Sequence, residues 1–185
     1  MSRGEPVRKP LSIRDGSRRT LDQRVALRWP WLSALGAHLV ARLQPTSRIR
    51  QAVIWRAVQQ GAEAFNRRDF EAVLIGKRRD IEYEPPRDLV ELGGLSASYR
   101  GHAGYVQFVE EWLIAWGLFR GEPRELIDLG DRTVLLAEAV GRGKESRVEL
   151  RQSLAVVLTF KRGSVIREQY YTDDAEALKA VGLAG

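Results

Sequence analysis

Glu138 is the lone carboxylate in the apolar run "LLAEAV", where a solvated strand face would show several polar residues. Burial raises a carboxyl pKa toward neutrality, and a carboxyl so placed can exchange a proton at working pH. The competing reading has Glu138 facing solvent or paired with an arginine on a neighbouring strand. Tyr83, Tyr105 and Tyr171 are candidate phenolic donors, and Trp112 with Trp116 is a candidate aromatic wall. Aromatic side chains on core faces are ordinarily core, but their number here favours a cavity that holds a flat or polycyclic ligand. His102, in "GHAG", stands at the first turn of a helix-like run. It is a proton-transfer candidate if it faces that cavity and an ordinary neutral imidazole if it does not. Together these types could run acid–base chemistry on an oxygen held by aimed donors.

Composition narrows the alternatives. The chain has 185 residues and no cysteine, which excludes disulfides, thiolate zinc sites and cysteine nucleophiles. With His38 and His102 its two histidines, a histidine-rich metal site is not expected, and neither metal nor cofactor is. The glycines of "GHAG" lack the GxGxxG spacing, and "GRGKES" fails the phosphate-loop pattern because Glu138 occupies the place of its first glycine. The net charge of +6 divides unevenly: residues 1–60 carry 12 basic and 3 acidic side chains, the remainder 18 and 21. A slightly acidic domain behind a basic arm is a poor candidate for specific nucleic-acid binding. Arginine-rich usage suggests a bacterial source with a GC-rich genome.

The elements that would position these residues fall into two parts, a basic N-terminal arm over residues 1–45 and a domain over 46–185. Met1–Arg19 is polar, basic and broken by Pro and Gly, and is expected to be disordered and unanchored. From Leu21 to Leu43 apolar residues recur near helical spacing, with Pro30 as a break or a helix start. The run is shorter than the ~20 residues of a membrane span and begins too far in for a secretory leader, so a cytoplasmic location is expected. It reads either as a helix packed on the domain or a partner subunit, or as an interfacial helix on a membrane surface, given Trp29, Trp31, Arg24, Arg28 and Arg42. His38 reads as a packing residue.

Thr46 or Ser47 can cap the next helix, with Ile54, Val58, Gly61 and Phe65 on one face. Asp69 caps a second, short one. "DIEYEPP" reads as a strand stopped by Pro85 and Pro86, and "RDLVELGGLSAS" as a loop able to serve as lid or pocket rim. Within Tyr99–Trp116, Tyr105, Phe108, Val109, Trp112 and Trp116 share one helix face. "ELIDLG", "RTVLLAEAV", "VELRQSLAVVLTF" and "SVIREQYYT" then read as an antiparallel meander, closed by a short helix capped by Asp173 or Asp174. Helices followed by strands predict an α+β domain with helices packed on one face of a curved sheet.

In "AFNRRDFEAV", "DIEYEPP", "YRGHAGYVQFVEEW" and "GSVIREQYYTDDAEALKAVGL" the chain resembles the SnoaL-like group of the nuclear transport factor 2-like and ketosteroid isomerase-like superfamily, over about Ser47 to Leu183. The resemblance implies a cone, in which a strongly bent, mainly antiparallel sheet and three helices enclose an apolar pocket. It also implies a hydrophobic small-molecule ligand and a homodimer formed through the sheet. Such proteins include acid–base enzymes (isomerases, cyclases, hydrolases) and non-catalytic binding modules, so fold does not fix function. By this resemblance Asp173 matches an acidic residue at the end of the last strand and joins Glu138 and His102 as a catalytic candidate. The competing role for Asp173 is to cap the final helix. The chain lacks the Asp–Arg–Asp or paired-histidine constellation of the epoxide-hydrolase and dehydratase branches.

Overall fold

The protein is described by a computed structural model that covers residues 6–10, 18–114, 116–143 and 149–183, with the backbone alone for Trp116 and Gly117. In chain order the elements are β1 (Val7–Pro10), α1 (Leu21–Arg28), α2 (Pro30–Val40), α3 (Arg48–Asn66), α4 (Phe70–Val73), β2 (Lys77–Glu84) and α5 (Arg87–Glu91). They continue with β3 (Tyr99–Arg100), α6 (Gly101–Leu113), β4 (Trp116–Asp128), β5 (Arg132–Gly143), β6 (Glu149–Lys161), β7 (Ser164–Tyr171) and α7 (Asp174–Ala180). The strands make one open sheet in the order β1-β4-β5-β6-β7-β2-β3, antiparallel at each pairing except β2–β7. It is strongly curved, as the α+β cone expectation requires. Bulges at Pro123/Glu125 of β4 and in the β6–β7 register bend the long strands.

Each face of the sheet has its own core. On the concave side Val156, Leu158 and Val165 pack with Ala64, Ile81, Tyr83, Tyr105, Phe108 and Val109, which joins β6 and β7 to α3, β2 and α6. On the convex side Val134, Leu136, Ala155 and Val157 meet Ala177 and Val181 of the α7 region. The alternation of β6 generates both, because successive side chains of a strand point to opposite faces. Gly101 and Gly104 are needed where α6 meets the sheet. Gly101 has φ +74° and a side chain there would stand 2.9 Å from the Arg79 carbonyl oxygen, while one at Gly104 would press on Tyr99 at 3.2 Å. These glycines serve a turn and a close helix–strand contact.

Arg50 fastens the helices to the sheet. From the first turn of α3, its guanidinium grips Asp128 at the end of β4 through Nε–Oδ2 (2.8 Å) and Nη2–Oδ1 (3.0 Å), donates to the Gly130 carbonyl, and reaches the carbonyls of Ala41 and Leu43 beyond α2 at 3.4 Å. Both side chains are buried, at 4% and 0% exposure. At the far end of α3 the Asn66 amide exchanges two 2.9 Å hydrogen bonds with the backbone of Gly121, pairing β4 where β1 does not reach it.

Several local expectations are corrected. Met1–Arg19 is not unanchored: Val7–Pro10 pairs with β4, and Arg19 forks onto Asp69 at 2.7 and 2.8 Å, although residues 1–5 and 11–17 lie outside those described. Leu21–Leu43 is two helices, broken at Trp29 because Pro30 begins the second. The helix read to Trp116 stops at Leu113, and β4 begins at Trp116, nine residues before the sequence run that announced it. "RDLVELGGLSAS" opens with the short helix α5, which begins immediately after its N-cap residue Pro86.

Two outcomes follow. Asp128→Ala leaves a buried guanidinium unpaired and is expected to cost about 3–5 kcal/mol in urea denaturation; a loss below about 1 kcal/mol contradicts the anchoring role. Asp69 is held below the ordinary carboxylate pKa first by its hydrogen bonds from Arg19, with further help from the Ala72 amide it caps. A carboxyl depressed in the folded state adds stability above its ordinary pKa, and that stability is lost as pH falls through the lowered value. The stability gap between wild type and Asp69→Asn should therefore be constant above about pH 5 and shrink below about pH 4. A gap independent of pH contradicts the assignment.

Candidate functional site

The concave side of the sheet does not close on itself. It surrounds a cavity of about 620 Å³, lined mainly by apolar side chains: Phe65, Phe108, Trp112, Leu135, Val156 and Leu158 give its character. Ser33, Ala37 and Val40 of α2 and Val53 and Ala57 of α3 also line it. Asp22 of α1, Gly36 of α2, Ala41 just beyond it, and Val53, Arg56 and Ala57 of α3 are exposed as well as lining, which places an opening along α3 where it faces α1 and α2.

Charged and amide side chains enter the lining at two places: Asp22, Gln23, Arg50, Arg56 and Gln60 from α1 and α3, and Lys77 with Glu168 from the sheet. Glu168 of β7 is 3% exposed at its side chain and meets Lys77, 11% exposed, through Oε1–Nζ at 2.7 Å. Its other oxygen accepts a 2.7 Å hydrogen bond from the Tyr170 hydroxyl. The Lys77 ammonium lies over the Tyr105 ring at 4.8 Å and over the Tyr83 ring at 5.6 Å. Burial, and after it the charge of Glu168, pushes the phenols of Tyr83, Tyr105 and Tyr170 well above the ordinary tyrosine range. All three therefore remain protonated donors at any physiological pH. The Tyr83 hydroxyl is buried without a hydrogen-bond partner. Lys77, Glu168, Tyr105 and Tyr170 all line the cavity, and Tyr83 stands behind Tyr105, ring to ring at 5.2 Å.

Local sequence explains this gathering. Lys77 opens β2 directly after α4 and lies beside Val165 in the parallel pairing, while Tyr83, farther along β2, is register partner to Glu168. Glu168 and Tyr170 are two apart on β7 and share the concave face. Tyr105 projects from the first half of α6, the helix whose close approach Gly104 permits. His102 assists without lining the cavity: its Nε2 is 3.4 Å from the Lys77 carbonyl oxygen, so the protonated ring nitrogen donates to the backbone that carries the lysine.

The sequence-derived candidates distribute unevenly around this cluster. Tyr105 and Trp112 line the cavity, and Tyr83 backs it. The Trp116 side chain lies outside the described residues. Tyr171 points to the convex face and packs with the core under α7. Asp173 is exposed and caps α7, accepting from the Ala175 amide at 2.6 Å. Glu138 is also on the convex side, where Arg151 donates to it at 2.7 Å. Asp173, Glu138 and His102 are thus not brought together, and none of them lines the cavity. The stretch read as a rim, Arg87–Ser98, contributes no lining residue.

The parity of two strands accounts for these misplacements. On β5, Leu135 and Ala137 face the cavity while Val134 and Leu136 face α7, so Glu138 follows the second set. Its apolar neighbours are there because both faces are covered. On β7 the register passes from Phe160↔Val165 to Thr159↔Arg167, which inserts one extra residue. That bulge puts Val165 and Glu168 on the same face despite their odd spacing. A strict period-two reading of "SVIREQYYT" therefore mistakes the side on which Glu168 and Tyr170 lie. The available signal was the pair Glu168 and Tyr170 at i, i+2; Lys77, in a basic run beside Arg78 and Arg79, carried none.

No protein-family model and no curated protein matches the sequence. Solved structures do match. An NTF2-like protein of unknown function from Burkholderia pseudomallei K96243 is 23% identical with a TM-score of 0.57, over 69% of this chain and 95% of that one. TerC, co-crystallised with polyporic acid, is 25% identical with a TM-score of 0.58, over 67% and 94%. A protein assigned to the SnoaL-like polyketide cyclases, from Jannaschia sp. CCS1, is 15% identical with a TM-score of 0.55, over 77% and 99%. At such identities the likeness carries the fold, and the fold of this chain is the NTF2-like cone seen in SnoaL-like and ketosteroid isomerase-like proteins.

Proposed function

We propose that the cavity binds a hydrophobic small molecule carrying one oxygen that hydrogen-bonds at the Lys77–Glu168–Tyr170 cluster. The observation that carries this reading is a buried ion pair, both of whose members line a mainly apolar cavity beside the aromatic rings of Tyr105 and Tyr170. The other buried charge of the lining, Arg50, is taken up by Asp128 and backbone carbonyls. Apolar lining supplies affinity without direction, and one convergent polar group supplies orientation. The ligand seen with TerC, a protein of the same fold, supports a small-molecule role for the cavity. Protonated Tyr105 and the Lys77 ammonium are donors, so a carbonyl or hydroxyl oxygen is the matching group.

Acid–base catalysis is the second reading, and one observation favours it. Glu168 is a buried carboxylate among donors, a setting in which a ligand oxygen that draws off Lys77 leaves Glu168 as a base. Turnover of a carbonyl-bearing ligand that disappears in Glu168→Gln, with binding retained, supports it. With Glu138 and Asp173 engaged on the convex side, the binding role is the first of the two.

Calorimetric titration with naphthol and with oxygen-free naphthalene tests the proposal. Naphthol should bind about tenfold more tightly, the equivalent of one hydrogen bond of about 1.4 kcal/mol. Replacing the pair together, Lys77→Met with Glu168→Leu, removes both charges without orphaning either, and should leave a folded protein that has lost the preference. Ala137→Trp, which fills the cavity, should abolish binding of both. Equal affinities in the wild type, or binding unchanged by Ala137→Trp, would overturn the proposal.

A further inference from the structure

The helix α2 has two faces of opposite use. Ser33, Ala37 and Val40, one side of the helix, line the cavity. Gly163, with φ +81°, lets the β6–β7 turn approach so closely that any side chain there would strike the Ala37 backbone at 2.4 Å. On the other side Trp31, Leu32, Leu35 and Leu39 fall within about 100° of arc at the helical repeat. They are exposed at 64%, 42%, 54% and 54%. Trp29, Val25 and Leu43 extend the apolar row beyond both helix ends, and all three are exposed as well. Among the described residues, nothing of the chain itself covers this row.

The charge around the row is uneven. Between Arg18 and Ile49 six arginines stand against one aspartate, Asp22. Asp22 is occupied by Arg56, and Arg19 by Asp69 and Glu71. Arg24, Arg28 and Arg42 are exposed, flank the apolar row at its two ends, and make no ion pair among the described residues. Lys161 and Arg162, on the turn that touches Ala37, are likewise exposed and unpaired among the described residues. A second copy of this chain placed on the row would bring like charges together, which is repulsive. A row of leucines with tryptophans at one end and arginines around it matches the layering of a lipid interface, with acyl chains below and anionic headgroups above. No helix among the described residues is long and apolar enough to cross a membrane, so the contact is peripheral.

We infer that the outer face of α2, with the end of α1, docks on an anionic lipid surface. The apolar row enters the interface and Arg24, Arg28 and Arg42 meet the headgroups. The face adjoins the opening along α3 where it faces α1 and α2, so docking brings the cavity opening to the membrane. The inference does not depend on what the cavity holds.

Cosedimentation of the full chain with vesicles of phosphatidylcholine and phosphatidylglycerol in equal parts, and of phosphatidylcholine alone, tests it. The expected result is binding to the mixed vesicles with a blue shift of tryptophan emission, and little binding to the neutral ones. Leu35→Asp and, independently, Arg24→Glu with Arg28→Glu should each weaken it by roughly tenfold or more. All three positions are exposed, and a thermal melt checks that each variant folds. Absent binding, equal binding to both vesicle types, or binding indifferent to both variants would overturn it. A stable dimer that Leu35→Asp dissociates would also overturn it, by showing that a second copy covers the face.

Discussion

The fork of Arg50 onto Asp128 is the constraint on which the cavity depends. A curved sheet with one apolar face would ordinarily collapse its helices onto that face and fill it. Here α3 is held at its first turn by a buried guanidinium whose donors also take the Gly130 carbonyl and the carbonyls of Ala41 and Leu43. The same side chain therefore fixes the end of β4, the start of α3 and the chain leaving α2. Asn66, clamped to Gly121, fixes the other end of α3. A helix pinned at both ends spans the cone without sinking into it, and the space beneath is the cavity. Such buried ion pairs contribute little net stability but are costly to break.

Within that space the charged pair Lys77–Glu168 faces the opposite problem. An isolated charge in an apolar wall is strongly disfavoured, and this one is relieved by its counter-ion, by Tyr170 and by the aromatic faces beneath the ammonium. The arrangement leaves the phenols protonated and the lysine near the lining surface. Lys77 and Glu168 thus form a fixed polar patch in a lining that is mainly apolar. The convex side has a separate economy, with α7 covering its centre and Glu138, Glu122 and Arg151 paired at its margin.

Much of the fold was legible from the chain. The 3.6-residue recurrence of Ile54, Val58, Gly61 and Phe65 placed α3, and those four residues do line the cavity. The period-two runs after Glu125 placed the meander, and the shared helix face of Tyr105 and Trp112 marked them as core, with a donor and an aromatic wall as their candidate roles; both line the cavity. The charged part of the site was not legible. Glu168 is hidden by a one-residue bulge that reverses its apparent face, and Lys77 by a basic run in which Arg78 and Arg79 are exposed. Glu138 drew attention for being alone among apolar residues, yet a strand covered on both faces shows the same pattern. Local sequence reports the period of an element; which parity faces the cavity is set by register and by the partners across the sheet.

The most direct measurement is a crystal structure of the chain as purified, without added ligand, examined in the cavity between α3, α6 and the sheet. The expected result is an open cavity bounded by Phe108, Trp112 and Val156, occupied by an apolar molecule or able to take xenon under pressure. Lys77 and Glu168 are expected in contact at its wall. A cavity filled by the side chains of Phe65 and Trp112, with α3 lowered onto the sheet and Lys77 turned to solvent, would contradict both expectations.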